Sequence, residues 1–397
     1  MADFGLRITH LCVGQGLSVL LQLKYQDENG QPAKFVGLLD CGSSAGGKTF
    51  CGPALDKIAE AVSENQDTLD YIHISHFDND HYNLLVNFGI GYPDLYGTRV
   101  QVKKMVFGST CYHDITNFID SIIENFNIDT NNIFSMETLF RRTGYIPYVL
   151  PTGNTFEISI DIPLTDNLYF RIIPIIYHAH LLFGNNFPVK KKLKPAESVM
   201  INTGSSILLV SIVYQKGVNI GAAFSYLFTG DATIDTLKSL RNNNWPHFLD
   251  EQKMIQIPHH GTKKHIADDE DSNIFTTLEE FLKKVSPIYA VVSAKCIGAK
   301  GWLHPCRDTM EVYEKMLPNQ SRDSTFTSFY ENDKGKKCVA QEIVHTGLYE
   351  TFALNERVES NTFYKKYKSE TFIKKDIVLN YLKSNDYVRW SVLEEIR

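Results

Sequence analysis

The chain has 397 residues, of which 43% are hydrophobic and 22% charged, a composition typical of a globular protein with a sizeable core. The net charge is −6 and the pI is about 6.1, so a nucleic-acid substrate would need a local basic rim or metal-held phosphates. The cysteines are scattered and form no Cys-x-x-Cys pair, which predicts free thiols in a reducing, cytoplasmic compartment. Because neither a signal peptide nor an apolar run of membrane-span length is evident, we expect no membrane association.

The first part of the chain predicts strands in series, followed by a helix. Three apolar segments separated by glycine-containing turns have the residue content of strands: 6–13, 17–25 and 35–40. Residues 54–63 repeat apolar side chains at helical spacing, which predicts an amphipathic helix.

A short apolar run at 71–74 predicts a buried strand, and four potential metal ligands follow it within six residues: His76, Asp78, Asp80 and His81. Imidazole and carboxylate ligands together suit Zn²⁺, Mn²⁺ or Fe²⁺, and the absence of a neighbouring thiolate argues against a structural cysteine-type zinc site. The alternative is a polar loop with incidental histidines, which the density of the cluster after a strand end disfavours.

The middle of the chain is less diagnostic. Its periodicity predicts elements in the following segments: a strand at 100–107, helices at 115–126 and 136–144, and paired strands at 156–162 and 168–176. The loop at 177–197 contains His178, His180 and the basic run 190–194. We interpret that run as a solvated face, with phosphate steering as the alternative.

The second half repeats the order of the first. A hairpin at 207–214 and 222–229 leads to Asp231, and a strand at 253–257 leads to His259 and His260. The remaining segments alternate between helices and a strand: helices at 233–241, 275–284 and 309–317, and a strand at 288–293. Two such halves predict an α/β protein built as a four-layer αβ/βα sandwich.

We divide the chain into a main domain, 1–318, and a C-terminal extension, 319–397. Residues 337–354 predict a strand pair with a turn at Thr346-Gly347, and helices are predicted at 374–382 and 390–396. The extension is interpreted as a packing segment or as a docking module for a protein partner. A small winged-helix nucleic-acid module is the alternative, although no recognition signature is present.

Seven motifs in order resemble the metallo-β-lactamase fold and, within it, the soluble hydrolase domain of the ComEC DNA-uptake family and its stand-alone relatives. They are Val13-Gly14-Gln15-Gly16, Leu39-Asp40-Cys41-Gly42, His76 to His81, Asn202 to Ser206, Leu227 to Asp231, Ile257 to Thr262, and His304-Pro305. The resemblance covers residues 5–318. The superfamily motif is usually His-x-His-x-Asp-His, whereas this chain has Asp78 at the second histidine. It also lacks the membrane channel of ComEC, so DNA uptake is not expected.

The resemblance implies one ion held by Asp80, His81, Asp231 and a late histidine, for which we choose His260. It implies a second ion held by Asp231, His76 and Asp78. A carboxylate with two oxygens can bridge such ions.

Other site positions are less well defined by the resemblance. Asn202 occupies the slot of a middle histidine ligand, with His178 or His180 as alternatives. We expect His259 to support a ligand or to contact the leaving group, and His304 to face the site or to be a plain loop histidine.

Three carboxylates form a harder ligand set than a histidine-rich zinc site, so we expect Zn²⁺ or Mn²⁺, one or two ions per chain. The resemblance implies a phosphodiesterase or nuclease that uses a metal-bound hydroxide and acts on nucleic acid or a nucleotide. In that mechanism Asp80 or Asp78 orients the water and His304 or His259 protonates the leaving group. The alternatives are a small-molecule ester or amide hydrolase of the same fold, and a non-catalytic metal-stabilised sensor or partner-binding protein.

Overall fold

The computed structural model describes residues 4–11, 13, 16–43, 48–108, 115–136, 159–175, 202, 204–216, 219–242, 253–287, 289–293, 306–316, 328–331, 337–340, 343–345, 375–384 and 387–396. Several predictions lie outside these residues: the helix at 136–144 beyond its first residue, the basic run 190–194, His178, His180 and His304.

The described strands are, in chain order, β1 (Phe4–His10), β2 (Ser18–Gln26), β3 (Pro32–Cys41), β4 (Thr68–Leu69), β5 (Tyr71–Ile74), β6 (Gln101–Val102), β7 (Met105–Phe107), β8 (Asn127–Ile128), β9 (Ile133–Ser135), β10 (Ile160–Thr165), β11 (Leu168–Ile175), β12 (Ile207–Lys216), β13 (Asn219–Phe228), β14 (Lys253–Gln256), β15 (Tyr289–Val292), β16 (Ser328–Glu331), β17 (Lys337–Ala340), β18 (Ile343–His345), β19 (Lys375–Ser384) and β20 (Tyr387–Ile396). The described helices are α1 (Lys48–Glu64), α2 (Asn79–Tyr96), α3 (Ile115–Asn125), α4 (Ile234–Asn242), α5 (Thr276–Val285) and α6 (Arg307–Met316). Short 3₁₀ turns occur at Thr130–Asn132 and Pro258–Gly261.

Two large sheets form the centre of the protein. The first has eight strands in the order β20-β19-β1-β2-β3-β5-β7-β9, and the second has seven in the order β10-β11-β12-β13-β14-β15-β18. In the first sheet β3, β5, β7 and β9 run parallel, and in the second β13, β14, β15 and β18 do so. Parallel neighbours place their carboxyl ends at one edge, which is where sites form in such sheets.

Three hydrophobic clusters separate four layers. The alternation of β12 shows this directly, because Leu208 and Val210 lie in the core between the two sheets. Ile207 and Leu209 instead face the outer core shared with α4, α5 and α6. A third core lies between the first sheet and α1, α2 and α3. Because successive strand residues point to opposite faces, an apolar run is buried on both sides. The predicted four-layer αβ/βα sandwich is confirmed.

The C-terminal segment differs from its prediction. The helices predicted at 374–382 and 390–396 are wrong, because both segments are strands, β19 and β20. β19 pairs antiparallel with β1, for example Tyr381 with Leu6, and β20 pairs with β19. The apolar positions of 377–382 fit a helix as well as a strand, and pairing along the edge of β1 decides between them. The division at residue 318 stays a prediction.

Two further strand predictions are corrected. The strand predicted at 100–107 is two strands, β6 in a small parallel sheet with β4 and β8, and β7 in the first sheet. The described part of the segment 337–354 forms β17, which pairs with β16, and β18, which joins β15; the predicted turn at Thr346-Gly347 and the residues after it lie outside the described residues. Within the described residues no helix is both long and apolar enough to span a membrane. Cys41 and Cys306 are free cysteines.

Candidate metal centre

The metal motif follows β5 and enters α2. The buried run Tyr71–Ile74 ends the strand, and α2 begins at Asn79 with Asp78 at its N-cap in an extended conformation. Asp80 lies in the first turn, where the positive end of the helix dipole favours a carboxylate. This strand–loop–helix order places His76 and His81 side by side, with ring centroids 4.1 Å apart.

The second sheet contributes two loops to the same place. β13 leads to Asp231, and β14 leads to the turn that contains His259 and His260. Both histidines adopt positive φ, 49° and 52°, a conformation that costs free energy in residues other than glycine and is common at functional sites.

Close approach of neighbouring segments requires glycine around the motif, as Gly42 and Gly230 show. A Cβ on Gly42 would lie 2.3 Å from the backbone nitrogen of His81, and one on Gly230 would lie 2.7 Å from the Cβ of Ser75. Gly230 also has φ +53°, which favours glycine. The glycines of the Leu39–Gly42 and Leu227–Asp231 motifs therefore allow the loops to converge.

The Asp231 carboxylate lies at the centre of the convergent loops. Its Oδ1 is 3.2 Å from His81 Nε2 and 3.6 Å from His260 Nε2. Its Oδ2 is 3.5 Å from His259 Nε2 and 3.9 Å from His76 Nε2. The two oxygens thus face different imidazoles.

Two further carboxylates flank this group. Asp80 Oδ2 lies 3.3 Å from His260 Nε2, and Asp78 Oδ2 lies 3.7 Å from His76 Nε2. We define the first cation position by Asp231 Oδ1, Asp80, His81 and His260. We define the second cation position by Asp231 Oδ2, His76 and Asp78.

The donor atoms fit a divalent cation. Three buried atoms of the cluster make no hydrogen bond of acceptable geometry: His76 Nε2, His81 Nε2 and Asp231 Oδ1. A buried polar atom without a partner costs free energy, and a bound cation would supply that partner. Ligand atoms of His76, His81 and Asp231 lie within 4.8 Å of one another, and so do those of Asp80, His81 and His260. Imidazole nitrogen with carboxylate oxygen is a donor set for Zn²⁺ or Mn²⁺.

Hydrogen bonds from the opposite ring nitrogens orient the histidines. His260 Nδ1 lies 2.7 Å from the carbonyl oxygen of Ser293, and His81 Nδ1 lies 2.7 Å from Asp40 Oδ2. Both acceptors require the proton on Nδ1, which leaves the Nε2 lone pair directed toward the cation position. His76 Nδ1 lies 3.0 Å from Ser75 Oγ.

Asp40 supports the candidate site, and the sequence analysis named it only within the motif Leu39-Asp40-Cys41-Gly42 and gave it no role. It is fully buried with φ 50°, and it accepts hydrogen bonds from the backbone nitrogen of Ser75 at 2.6 Å and from Ser75 Oγ at 2.7 Å. Together with the hydrogen bond from His81, these contacts fix the loop of His76 to His81 to the end of β3. An aspartate followed by Cys41-Gly42 at a strand end was the available signal.

Charges within the cluster shift its titration. Burial alone lowers the pKa of His81, but the carboxylates of Asp231 and Asp40 raise it well above its ordinary value. Burial raises the pKa of Asp231, but the neighbouring His81, His260 and His259 hold it well below its ordinary value. Burial also raises the pKa of Asp80, but the hydrogen bond with His260 and the charge of His81 lower it to about 2. A cation would replace the protons bound to these side chains, so its affinity would decrease as the pH decreases.

Residues beside the second cation position complete the site. Asn202 Nδ2 lies 3.2 Å from His259 Nε2, and Asn202 Oδ1 is buried without a hydrogen bond. His265, which was not predicted, stacks on His259 with ring centroids 6.0 Å apart. The structure thus brings together the predicted site residues that it describes; His304 and the alternative ligands His178 and His180 lie outside the described residues. Their roles stay predictions.

No protein-family model and no curated protein matches the chain. Among solved structures it is similar to a long-form RNase Z from yeast, with 12% identity, a TM-score of 0.37, and coverage of 77% of this chain and 39% of that chain. The metallo-β-lactamase fold protein YhfI from Bacillus subtilis has 10% identity and a TM-score of 0.35, with 79% and 94% covered. A diphosphatase from the PhnP family has 11% identity and a TM-score of 0.33, with 80% and 92% covered. The chain therefore spans well under half of the yeast RNase Z.

Proposed function

We propose that this protein is a metal-dependent hydrolase that cleaves phosphodiester bonds in nucleic acid or a nucleotide. The observation that carries the proposal is the buried Asp231 carboxylate, whose two oxygens lie 3.2–3.9 Å from imidazole nitrogens of four histidines. One or two Zn²⁺ or Mn²⁺ ions bound there would supply Lewis acidity and lower the pKa of a water molecule.

The side chains of the site differ in exposure, and the difference suggests their roles. His76 and His81 are fully buried, whereas the side chains of Asp80 and Asp78 are 21% and 38% exposed. A partly exposed carboxylate can accept a hydrogen bond from an entering water molecule and orient it, so we assign this role to Asp80, with Asp78 as the second candidate.

His259 is the described group best placed to exchange a proton with the leaving oxygen. Its side chain is 14% exposed, and its Nε2 lies 3.5 Å from Asp231 Oδ2. The amide nitrogen of Asn202 donates a hydrogen bond to the same Nε2, which orients the ring and leaves the proton of the neutral imidazole on Nδ1. From Nδ1 an imidazole held in this way can donate a proton to a leaving alkoxide. His304 remains a candidate for the same step.

The substrate class has separate support. It comes from the ordered motifs of this chain, which resemble those of ComEC-like hydrolase domains. The net charge of −6 gives no global attraction to a polyanion, so phosphate contacts at the cation positions would have to supply much of the binding.

A nuclease assay with matched variants tests the proposal. The chelator-treated protein should be inactive, and added Mn²⁺ or Zn²⁺ should restore cleavage of plasmid DNA, a single-stranded oligonucleotide or a chromogenic phosphodiester. Asp231→Asn should lower the rate by at least about 100-fold. Asp94→Asn is the matched control, because Asp94 is exposed near the far end of α2, and it should retain full activity.

Three results would contradict the proposal in different ways. Cleavage that survives chelation would remove the metal dependence, and an active Asp231→Asn variant would remove the proposed site. Hydrolysis of carboxyl esters alone would leave a hydrolase of the same fold but a different substrate.

A further inference from the structure

The surroundings of the two oxygens of Asp231 differ in how close and how buried the neighbouring ligands are. At the first cation position two imidazoles that are at most 2% exposed, His81 and His260, approach Oδ1 within 3.6 Å. At the second, His76 stands 3.9 Å from Oδ2, and the other ligand, Asp78, is 38% exposed. Water therefore competes for the second position and screens its charges more strongly.

The hydrogen-bond partners of the opposite ring nitrogens also differ between the two positions. His81 donates to the carboxylate of Asp40, and His260 donates to a backbone carbonyl, both at 2.7 Å. His76 has the neutral hydroxyl of Ser75 at 3.0 Å, and that hydroxyl already donates to Asp40. A carboxylate or carbonyl acceptor raises the basicity of an imidazole ligand more than a hydroxyl does.

The imidazole of His259 lies near the second position, but its Nε2 already contacts Asn202. His259 approaches Asp231 Oδ2, but the Asn202 amide lies 3.2 Å from its Nε2. An ion that used His259 would have to displace this contact. The second position therefore has one imidazole and two carboxylates ready, whereas the first has two of each.

We propose that the two positions are distinct in affinity and in metal preference, with Asp78 as the residue that sets the difference. The first holds Zn²⁺ tightly. The second binds a hard, oxygen-preferring cation such as Mn²⁺ weakly, and the substrate completes its coordination with a phosphate oxygen. Carboxylate in place of imidazole favours the harder ion. This inference rests on the proposed function, because the phosphate of the substrate supplies the missing ligand.

Metal content gives a readout that does not depend on activity. After loading with Zn²⁺ and exhaustive dialysis, the wild-type protein should retain one equivalent of zinc by elemental analysis. Mn²⁺ titration followed by electron paramagnetic resonance should then show one further site, with a Kd at least about 100-fold weaker than that of the first site for Zn²⁺.

Substitution of Asp78 tests the cause. Asp78→His should convert the second position to a zinc site, so that two equivalents survive dialysis. Asp78→Asn should abolish the Mn²⁺ signal and leave one equivalent of zinc. Both variants should fold, because Asp78 is 38% exposed and makes no side-chain capping bond, and thermal unfolding checks this. Asp94→His, on the same helix, is the matched control and should behave like the wild type.

The outcomes separate this inference from the proposed function. Two equivalents of zinc retained by the wild type would overturn the inequality of the positions, and an Asp78→Asn variant that still binds Mn²⁺ would overturn the role of Asp78 in setting it. No bound metal would remove both proposals. One tight and one weak site in a protein that cleaves no phosphodiester would support the metal inference and refute only the substrate.

Discussion

Asp40 offers the most direct test of how the site is assembled, because it supports His81 but belongs to neither of the two cation positions. Its Oδ2 accepts from both Ser75 Oγ and His81 Nδ1 at 2.7 Å. In Asp40→Asn an amide group of the same size faces these donors, so His81 loses its acceptor at Nδ1 or moves its proton to Nε2, where a proton blocks ligation. Loss of such a supporting partner costs about 10- to 100-fold in metal affinity, or about 1.4–2.7 kcal/mol.

The same substitution should also lower stability. Asp40 is fully buried, and a buried hydrogen bond to a charged group contributes about 1.5–3 kcal/mol. We therefore expect the metal-free variant to lose about 3 kcal/mol in its free energy of unfolding. Urea unfolding measures this loss, and competition with a chromophoric chelator measures zinc affinity.

Asp70 provides the control for Asp40. It is also a largely buried carboxylate of the first half, and it accepts from Val36 N, Asn65 Nδ2 and Lys103 Nζ at 2.7–2.9 Å. Asp70→Asn should lower stability but leave zinc affinity unchanged. If Asp40→Asn bound zinc as tightly as the wild type, the reasoning from the opposite ring nitrogen would be refuted.

Two further predictions concern the sandwich. Burial lowers the pKa of His10 to about 3 and of His73 to about 4. The unfolded chain binds these protons near pH 6.5, so their stabilisation is complete above that pH and is lost as pH falls toward the folded values, by about 1 kcal/mol per pH unit for each histidine. Urea unfolding at pH 6 and pH 5 should show a slope that His10→Gln reduces, and an unchanged slope would contradict the assignment. Ending the chain at residue 374 removes β19 and β20 and exposes the edge of β1, so the product should be less stable and prone to aggregation. A truncated protein with an unchanged urea midpoint would show that these strands are dispensable.

The elements that the sequence predicts well are those set by local patterns. The strand at 71–74 and the loop of His76 to His81 follow one another in the chain, so their order was predictable, whereas the helix α2 that begins within this loop was not predicted. The role of Asp40 was not readable, because it depends on β3 pairing with β5 and on a contact between residues 35 positions apart, Asp40 and Ser75.

The C-terminal strands show a second reason why a prediction from sequence fails. Residues 377–382 have apolar side chains at both strand and helix spacing, and a pattern of this kind cannot choose between the two. The choice depends on whether an edge is available for pairing, which is a property of β1 and of the whole sheet. Similarly, the sequence analysis chose His260 over His259 as the ligand but could not predict that, in a turn where both have positive φ, the two histidines face different oxygens of Asp231.

The position of the site between the two halves links function to stability. The loop of His76 to His81 follows a strand of the first sheet, and the loops of Asp231 and His260 follow strands of the second. In the described residues the sheets are also joined by buried polar contacts, His10 to Tyr226 at 2.9 Å and His73 to Ser206 at 2.7 Å. A cation at the first position would bind ligands from both sheets and only in the folded chain, so it would stabilise the sandwich by the free energy of its binding. The Asp231 carboxylate that the proposed chemistry needs is therefore also a structural link between the two halves.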